Sequence, residues 1–226
     1  MANKTKDIVA SIREIVVLLY DGFTILDVIG PTQCLGQLEN VKLVTVAKQK
    51  GLVRADDGLQ LHAEYSIDDI NQAYILVIPG GLSGTLATSK DSDILNWIRR
   101  IDKTTEYTTS VCTGAWILSA AGLLKDRHVS THWYGIDRLK ESGAIFTEER
   151  YSFDGKYVTS AGVSAGIDMA LALVAKISGN EAAKAVQLGL QYDPQPPFHC
   201  GSPKTAGKAL TDSLRKRYDI FLGNLQ

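Results

Sequence analysis

The chain has 226 residues, 45% of them hydrophobic and 22% charged, which is enough for one sizeable core and too little for two comfortable ones. A net charge of −1 leaves no basic field for nucleic acid, no apolar run is long enough for a membrane span, and the opening MANKTKD lacks the apolar segment of a secretory signal, so a cytoplasmic protein is expected. Cys34, Cys112 and Cys200 are too far apart in sequence to suggest a disulfide framework or a zinc pattern, and His199 beside Cys200 is only a weak metal hint.

In chain order, residues 14–19 (EIVVLL) read as a first strand, and their unbroken apolar character suits a parallel sheet covered on both faces. After a turn at Asp21 and Gly22, the run FTILDVIGPTQCLGQL announces a short helix, with Pro31 expected at an early helical position. Asp27 is set among Ile25, Leu26, Val28 and Ile29. It is either a desolvated acid of raised pKa or an exposed loop acid or cap. Residues 43–47 form a second strand, and residues 48–62 a hairpin-like excursion in which His62 is structural. Residues 75–79 (ILVIP) form a third buried strand ending at Gly80 and Gly81, whose N–H groups are candidates to stabilise developing negative charge. PGGLSG lacks the G-x-G-x-x-G spacing, which excludes dinucleotide binding. Ile94, Trp97, Ile98 and Ile101 fall at helical spacing and predict an amphipathic helix over 93–101.

Residues 107–124 (YTTSVCTGAWILSAAGLL) read as a strand, a sharp turn at Cys112 and Gly114, and a buried helix. Cys112 is either a small core residue or a reactive thiol whose pKa is depressed by the N-terminus of the following helix. A short strand over 128–131 leads to His132, a candidate base for Cys112 or a structural histidine. Residues 146–159 predict a hairpin about Asp154 and Gly155, followed by helices over 164–177, 181–190 and 204–222. The run GVSAG matches G-x-S-x-G and offers Ser164 as a rival nucleophile, with Asp193 and His199 following in hydrolase order. Its strand belongs to a local hairpin, and too little chain follows for the usual acid and base, so Ser164 reads better as a helix N-cap.

The runs YTTSVCTGAWILSAAGLLKDRHVSTHW, FTILDVIGPTQ, VIPGG, TSAGVSAGIDMAL and QYDPQPPFHCGSP resemble the ThiJ/PfpI superfamily from about residue 15 to about residue 203, most closely its isocyanide (isonitrile) hydratase branch. The resemblance implies a flavodoxin-like α/β sandwich with a mostly parallel sheet, one domain over 1–226 after a flexible N-terminal extension of about 12 residues, and a homodimer. It implies Cys112 as nucleophile and Asp27 as the acid that approaches it, an aspartate in the hydratases and a glutamate in many relatives. Hydrolytic members commonly carry histidine directly after the cysteine, where this chain has Thr113, as the hydratases do. His132, Val163 and Ser164 are implied as pocket residues, with Gly81 and Thr113 orienting the intermediate or water.

The expected reaction is hydration of an isocyanide to an N-substituted formamide, with no cofactor and no metal. The alternatives are a glyoxalase- or amidase-like cysteine enzyme, or a non-enzymatic ligand or redox sensor. The AraC-type regulators that carry similar runs join them to a helix-turn-helix domain, for which the chain after residue 203 offers one helix.

Overall fold

The computed structural model describes residues 11–223, so most of the expected N-terminal extension lies outside the described residues. From the N-terminus come β1 (Arg13–Leu18), α1 (Ile25–Leu35), β2 (Val41–Ala47), the pair β3 (Gly51–Arg54) and β4 (Gln60–Ala63), and β5 (Tyr65–Ser66). Then follow β6 (Ile75–Ile78), α2 (Ser83–Thr88), α3 (Ser92–Asp102), β7 (Tyr107–Val111) and α4 (Gly114–Ala120). Next are β8 (His128–Val129), α5 (Ile136–Glu141), β9 (Ile145–Phe146), β10 (Tyr151–Asp154) and β11 (Tyr157–Ser160). Four helices close the chain: α6 (Ala165–Ser178), α7 (Asn180–Gly189), α8 (Pro203–Ala206) and α9 (Lys208–Gly223).

The main sheet has seven strands in the order β10-β11-β7-β6-β1-β2-β5, all parallel neighbours except β10 with β11. Its central strands are apolar because both faces are covered: Ile15 to Leu18 and Ile75 to Ile78 are fully buried. The chain runs outward from β1 to β2 and β5, then returns to the other side of β1 to lay down β6 and β7. That reversal opens a crevice at the carboxyl ends of β1 and β6, where open α/β sheets bind ligands.

Most of the sequence pattern holds. The α3 stripe of Ile94, Trp97, Ile98 and Ile101 is buried, and the Trp97 indole donates to the Ile70 carbonyl. The hairpins at 51–63 and 151–160 form where expected. Two expectations are corrected, and that for Ser164 holds in position only. Pro31 lies inside α1, because that helix starts at Ile25 and takes Asp27 into its first turn. The strand before Ser164 is not confined to its hairpin: β11 also pairs in parallel with β7. Ser164 occupies the N-cap position of α6, but its hydroxyl makes no cap hydrogen bond and accepts instead from the Arg150 guanidinium at 3.1 Å.

Candidate active site

Three chain segments converge at the carboxyl ends of β1, β6 and β7. Cys112 follows β7 with φ 58°, a left-handed conformation that costs a non-glycine residue roughly 1–2 kcal/mol. The surroundings hold it there: its N–H donates to the Ala161 carbonyl at 3.0 Å, and its carbonyl accepts from the Thr131 hydroxyl at 2.8 Å. Leu82 and Val163, also in the cavity, have positive φ as well, at 35° and 34°.

Asp27 reaches the same point from α1 with no exposed surface. The Gly80 N–H donates to its Oδ2 at 2.8 Å, whereas Oδ1 is buried with no hydrogen-bond partner among the described residues. Gly80 has to be glycine here, since a Cβ would lie 2.8 Å from Asp27 Oδ2, from Cys112 Cβ and from Thr113 N. Desolvation raises the Asp27 pKa to about 7 against the pull of the Gly80 N–H and the Cys112 thiol. The desolvated-acid reading of Asp27 is therefore the one its burial supports.

The expected depression of the Cys112 pKa is not found. Cys112 is buried, and desolvation followed by the Asp27 charge pushes its thiol up against the opposing pull of the Val163 and Thr113 N–H groups and the Thr113 hydroxyl. Loss of water outweighs the helix end, because α4 is only two turns long and the sulfur is almost entirely enclosed. The resting pair is thus a protonated thiol beside a carboxyl group poised to give or take one proton. Cys34 is buried too, its pKa pushed to about 11, and Cys200 is exposed.

His132 does not suit the role of base. Its Nδ1 accepts from the Tyr134 N–H at 3.3 Å, which leaves the hydrogen on Nε2, and desolvation lowers its pKa to about 4. It is a neutral donor in the cavity wall. Gly81 also departs from expectation: its N–H is taken by the Thr113 hydroxyl at 3.2 Å and is not a spare donor for negative charge.

The cavity over Cys112 holds about 570 Å³ and includes Gly81, Thr113, His132 and Val163. Ser164 falls outside it, in an adjoining cavity that shares His132 and Val163. The sequence reading missed the outer wall, where α9 supplies Leu214, Tyr218 and Phe221 with Arg217, facing Asp56 and Asp57 from the β3–β4 turn. One signal was present in the sequence: Leu214, Tyr218 and Phe221 fall at i, i+4 and i+7 in the helix expected over 204–222. Tyr218 packs against His132, Trp133 and Tyr134, and Tyr134 donates to Asp219 at 2.7 Å, which docks α9 over the crevice. No group of metal ligands is assembled among the described residues, and no described helix is long and apolar enough to cross a membrane.

Comparison with known proteins identifies the family and supports the fold. A model of the DJ-1/PfpI family matches residues 13–176. Isonitrile hydratase of Pseudomonas putida is 40% identical over 200 residues, covering 88% of this chain and 87% of that protein. The crystal structure of a ThiJ/PfpI family protein from Pseudomonas syringae superposes with a TM-score of 0.90 at 35% identity, over 99% of this chain and 94% of that one. The HTH-type transcriptional regulator CdhR of Pseudomonas aeruginosa is 30% identical over 63% of this chain but only 42% of its own length.

Proposed function

The chain belongs to the DJ-1/PfpI family, and we propose that it hydrates isocyanides, R–N≡C, to N-substituted formamides. The observation that carries this reading is the buried Asp27 carboxyl beside Cys112, with Thr113 and not histidine after the cysteine. A thiol and an acid that converge on one point suit a substrate whose terminal carbon must accept both a nucleophile and a proton. The similarity to an isonitrile hydratase along nearly the whole of both chains supports it.

In the proposed cycle the Cys112 sulfur bonds to the terminal carbon while that carbon gains a proton from Asp27, giving the thioimidate R–N=CH–S–Cys112. Asp27 is made whole by the proton the thiol releases, so the pair supplies one proton net. Water then adds to the thioimidate carbon, the C–S bond breaks, and R–NH–CHO leaves with the thiol restored. The carboxyl at about pKa 7 serves either direction of transfer near neutral pH. No cofactor or metal has a part in the cycle. The working form we propose is a cytoplasmic homodimer of single-domain chains.

The test is incubation with a simple alkyl isocyanide, following formamide by mass spectrometry. Formamide release above buffer that depends on Cys112 supports the reading. No turnover across several isocyanides overturns it in favour of a glyoxalase-like or sensor role for the same cysteine.

A further inference from the structure

Beside Cys112, five groups form an unbroken buried chain that starts at the cavity wall and runs away from it. The Tyr20 hydroxyl donates to the Pro79 carbonyl at 2.7 Å and lies 3.0 Å from Thr85 Oγ1; Thr85 Oγ1 lies 2.9 Å from Thr113 Oγ1; Thr113 Oγ1 accepts from the Gly81 N–H. Tyr20, Thr85 and Thr113 are all buried, and neither Tyr20 nor Thr85 lines the cavity.

The two ends of the chain set its direction. A carbonyl only accepts, so the single Tyr20 proton is committed to Pro79. Thr85 must then donate to Tyr20, and Thr113 must donate to Thr85. Burial also keeps the Tyr20 proton in place, because its pKa is raised well above that of a free phenol. Thr113 follows Cys112 in the chain and lines the same cavity; a Thr113 hydroxyl that donates to the sulfur lowers the thiol pKa, and with its proton committed to Thr85 it has only a lone pair to offer. A protonated thiol can use that lone pair, whereas a thiolate cannot.

We propose that Tyr20 and Thr85 are positioning residues that hold the Thr113 proton away from Cys112 and so keep the thiol protonated until substrate arrives. Stabilising a thiolate with the Thr113 hydroxyl requires the three hydroxyls to rotate together: Thr113 turns to the sulfur, Thr85 to Thr113, and Tyr20 to Thr85, and Pro79 loses its donor. No proton changes owner in this rotation. Its cost is one buried hydrogen bond, which corresponds to a factor of about three to ten in thiolate population.

The proposal rests on the reading of Cys112 as the nucleophile, but its test does not need turnover. The other titratable and charged groups that face the sulfur or its cavity are Asp27 on α1, His132, Asp56 and Asp57, and Arg217 and Tyr218 on α9. All of them are left intact in the test. The rate of Cys112 alkylation by iodoacetamide, mapped by mass spectrometry across a pH series, reports thiolate population below the thiol pKa. Tyr20→Phe and Thr85→Val, each checked by thermal melting, should raise that rate about three- to tenfold, while Thr85→Ser restores the chain and should match the parent protein. Rates within twofold of the parent in both disrupting variants would overturn the proposal, and so would an equal rise in Thr85→Ser, which would assign the effect to packing. Formamide release, measured separately, tests the hydratase reading, so failure of one does not mimic failure of the other.

Discussion

The Gly80 N–H reaches Asp27 Oδ2 at 2.8 Å, while Asp27 Oδ1 stays buried with no hydrogen-bond partner among the described residues. An amide at position 27 can keep the Gly80 contact through its oxygen but has no acidic proton to give. Asp27→Asn should therefore lose about 10² to 10⁴ in turnover, the usual contribution of a positioned acid. Isocyanide kinetics beside a thermal melt would check this. A folded, fully active Asp27→Asn protein would mean that the proton comes from elsewhere.

The same contact makes Gly80 intolerant of any side chain. An added methyl would meet Asp27 Oδ2, Cys112 Cβ and Thr113 N at once, each at 2.8 Å, and two of these are close to rigid backbone. Gly80→Ala should cost at least about 100-fold in activity, since misplacement by an ångström is enough. Gly189→Ala, where nothing lies within 4 Å at the last residue of α7, should retain activity and melt at or slightly above the parent protein. Activity assays and melts on the two variants would separate the site effect from a general intolerance of alanine.

Asp27 and His132 pull the pH dependence of stability in opposite directions. Asp27 has its pKa raised from 3.8 to about 7, so the folded state binds the extra proton and stability falls as pH rises through that window. His132 has its pKa lowered from 6.5 to about 4, so the unfolded state binds the extra proton and stability rises with pH over much the same range. The two slopes largely offset one another in the parent protein. Asp27→Asn should expose a melting temperature that climbs from pH 4 to 6.5, and His132→Gln one that declines toward pH 7. Parallel slopes in the two variants would contradict these assignments.

Cys112→Ser should abolish turnover, whereas Cys34→Ser, Cys200→Ser and Ser164→Ala should keep most of it, because of these four residues only Cys112 lines the cavity and lies beside Asp27. An inactive but folded Ser164→Ala protein would reopen the serine reading. The positive φ at Cys112 adds a stability test. Cys112→Gly should melt above Cys112→Ala, since glycine accepts φ 58° without the roughly 1 kcal/mol penalty of a Cβ. Among the three thiols, exposed Cys200 should be alkylated first at neutral pH, and Cys112 should lag behind it.

The sheet was legible because β1, β6 and β7 are apolar runs that only a doubly covered parallel sheet can accommodate, and the turn after β7 placed Cys112 correctly. The sign of the Cys112 pKa shift was not legible. It depends on how completely the sulfur is enclosed by chain distant in sequence, and burial there outweighs the local helix end. Gly81 was misjudged for a related reason: a strand-end N–H looks free until the Thr113 hydroxyl is found opposite it. The start of α1 was obscured by Pro31, whose usual place is a first turn.

Helix α9 lies beyond residues 13–176, the span matched by the family, yet builds the outer wall of the cavity. The cysteine, the acid and Gly80 belong to the common core, so a helix outside that core is well placed to set which R groups fit without touching the chemistry. Phe221 is half exposed and lines the cavity, so trimming it removes substrate contact at little cost in core packing. Phe221→Ala should raise KM for a bulky alkyl isocyanide about fivefold, roughly 1 kcal/mol of partial apolar burial, while kcat and the kinetics of the smallest isocyanides stay near parent values. Tyr218→Ala should do more, since its ring also stacks with His132, Trp133 and Tyr134, and its loss should lower the melting temperature as well. Steady-state kinetics over an isocyanide size series would decide the matter. A loss equal for all sizes would make α9 a structural cover, and unchanged KM values would remove it from the substrate path.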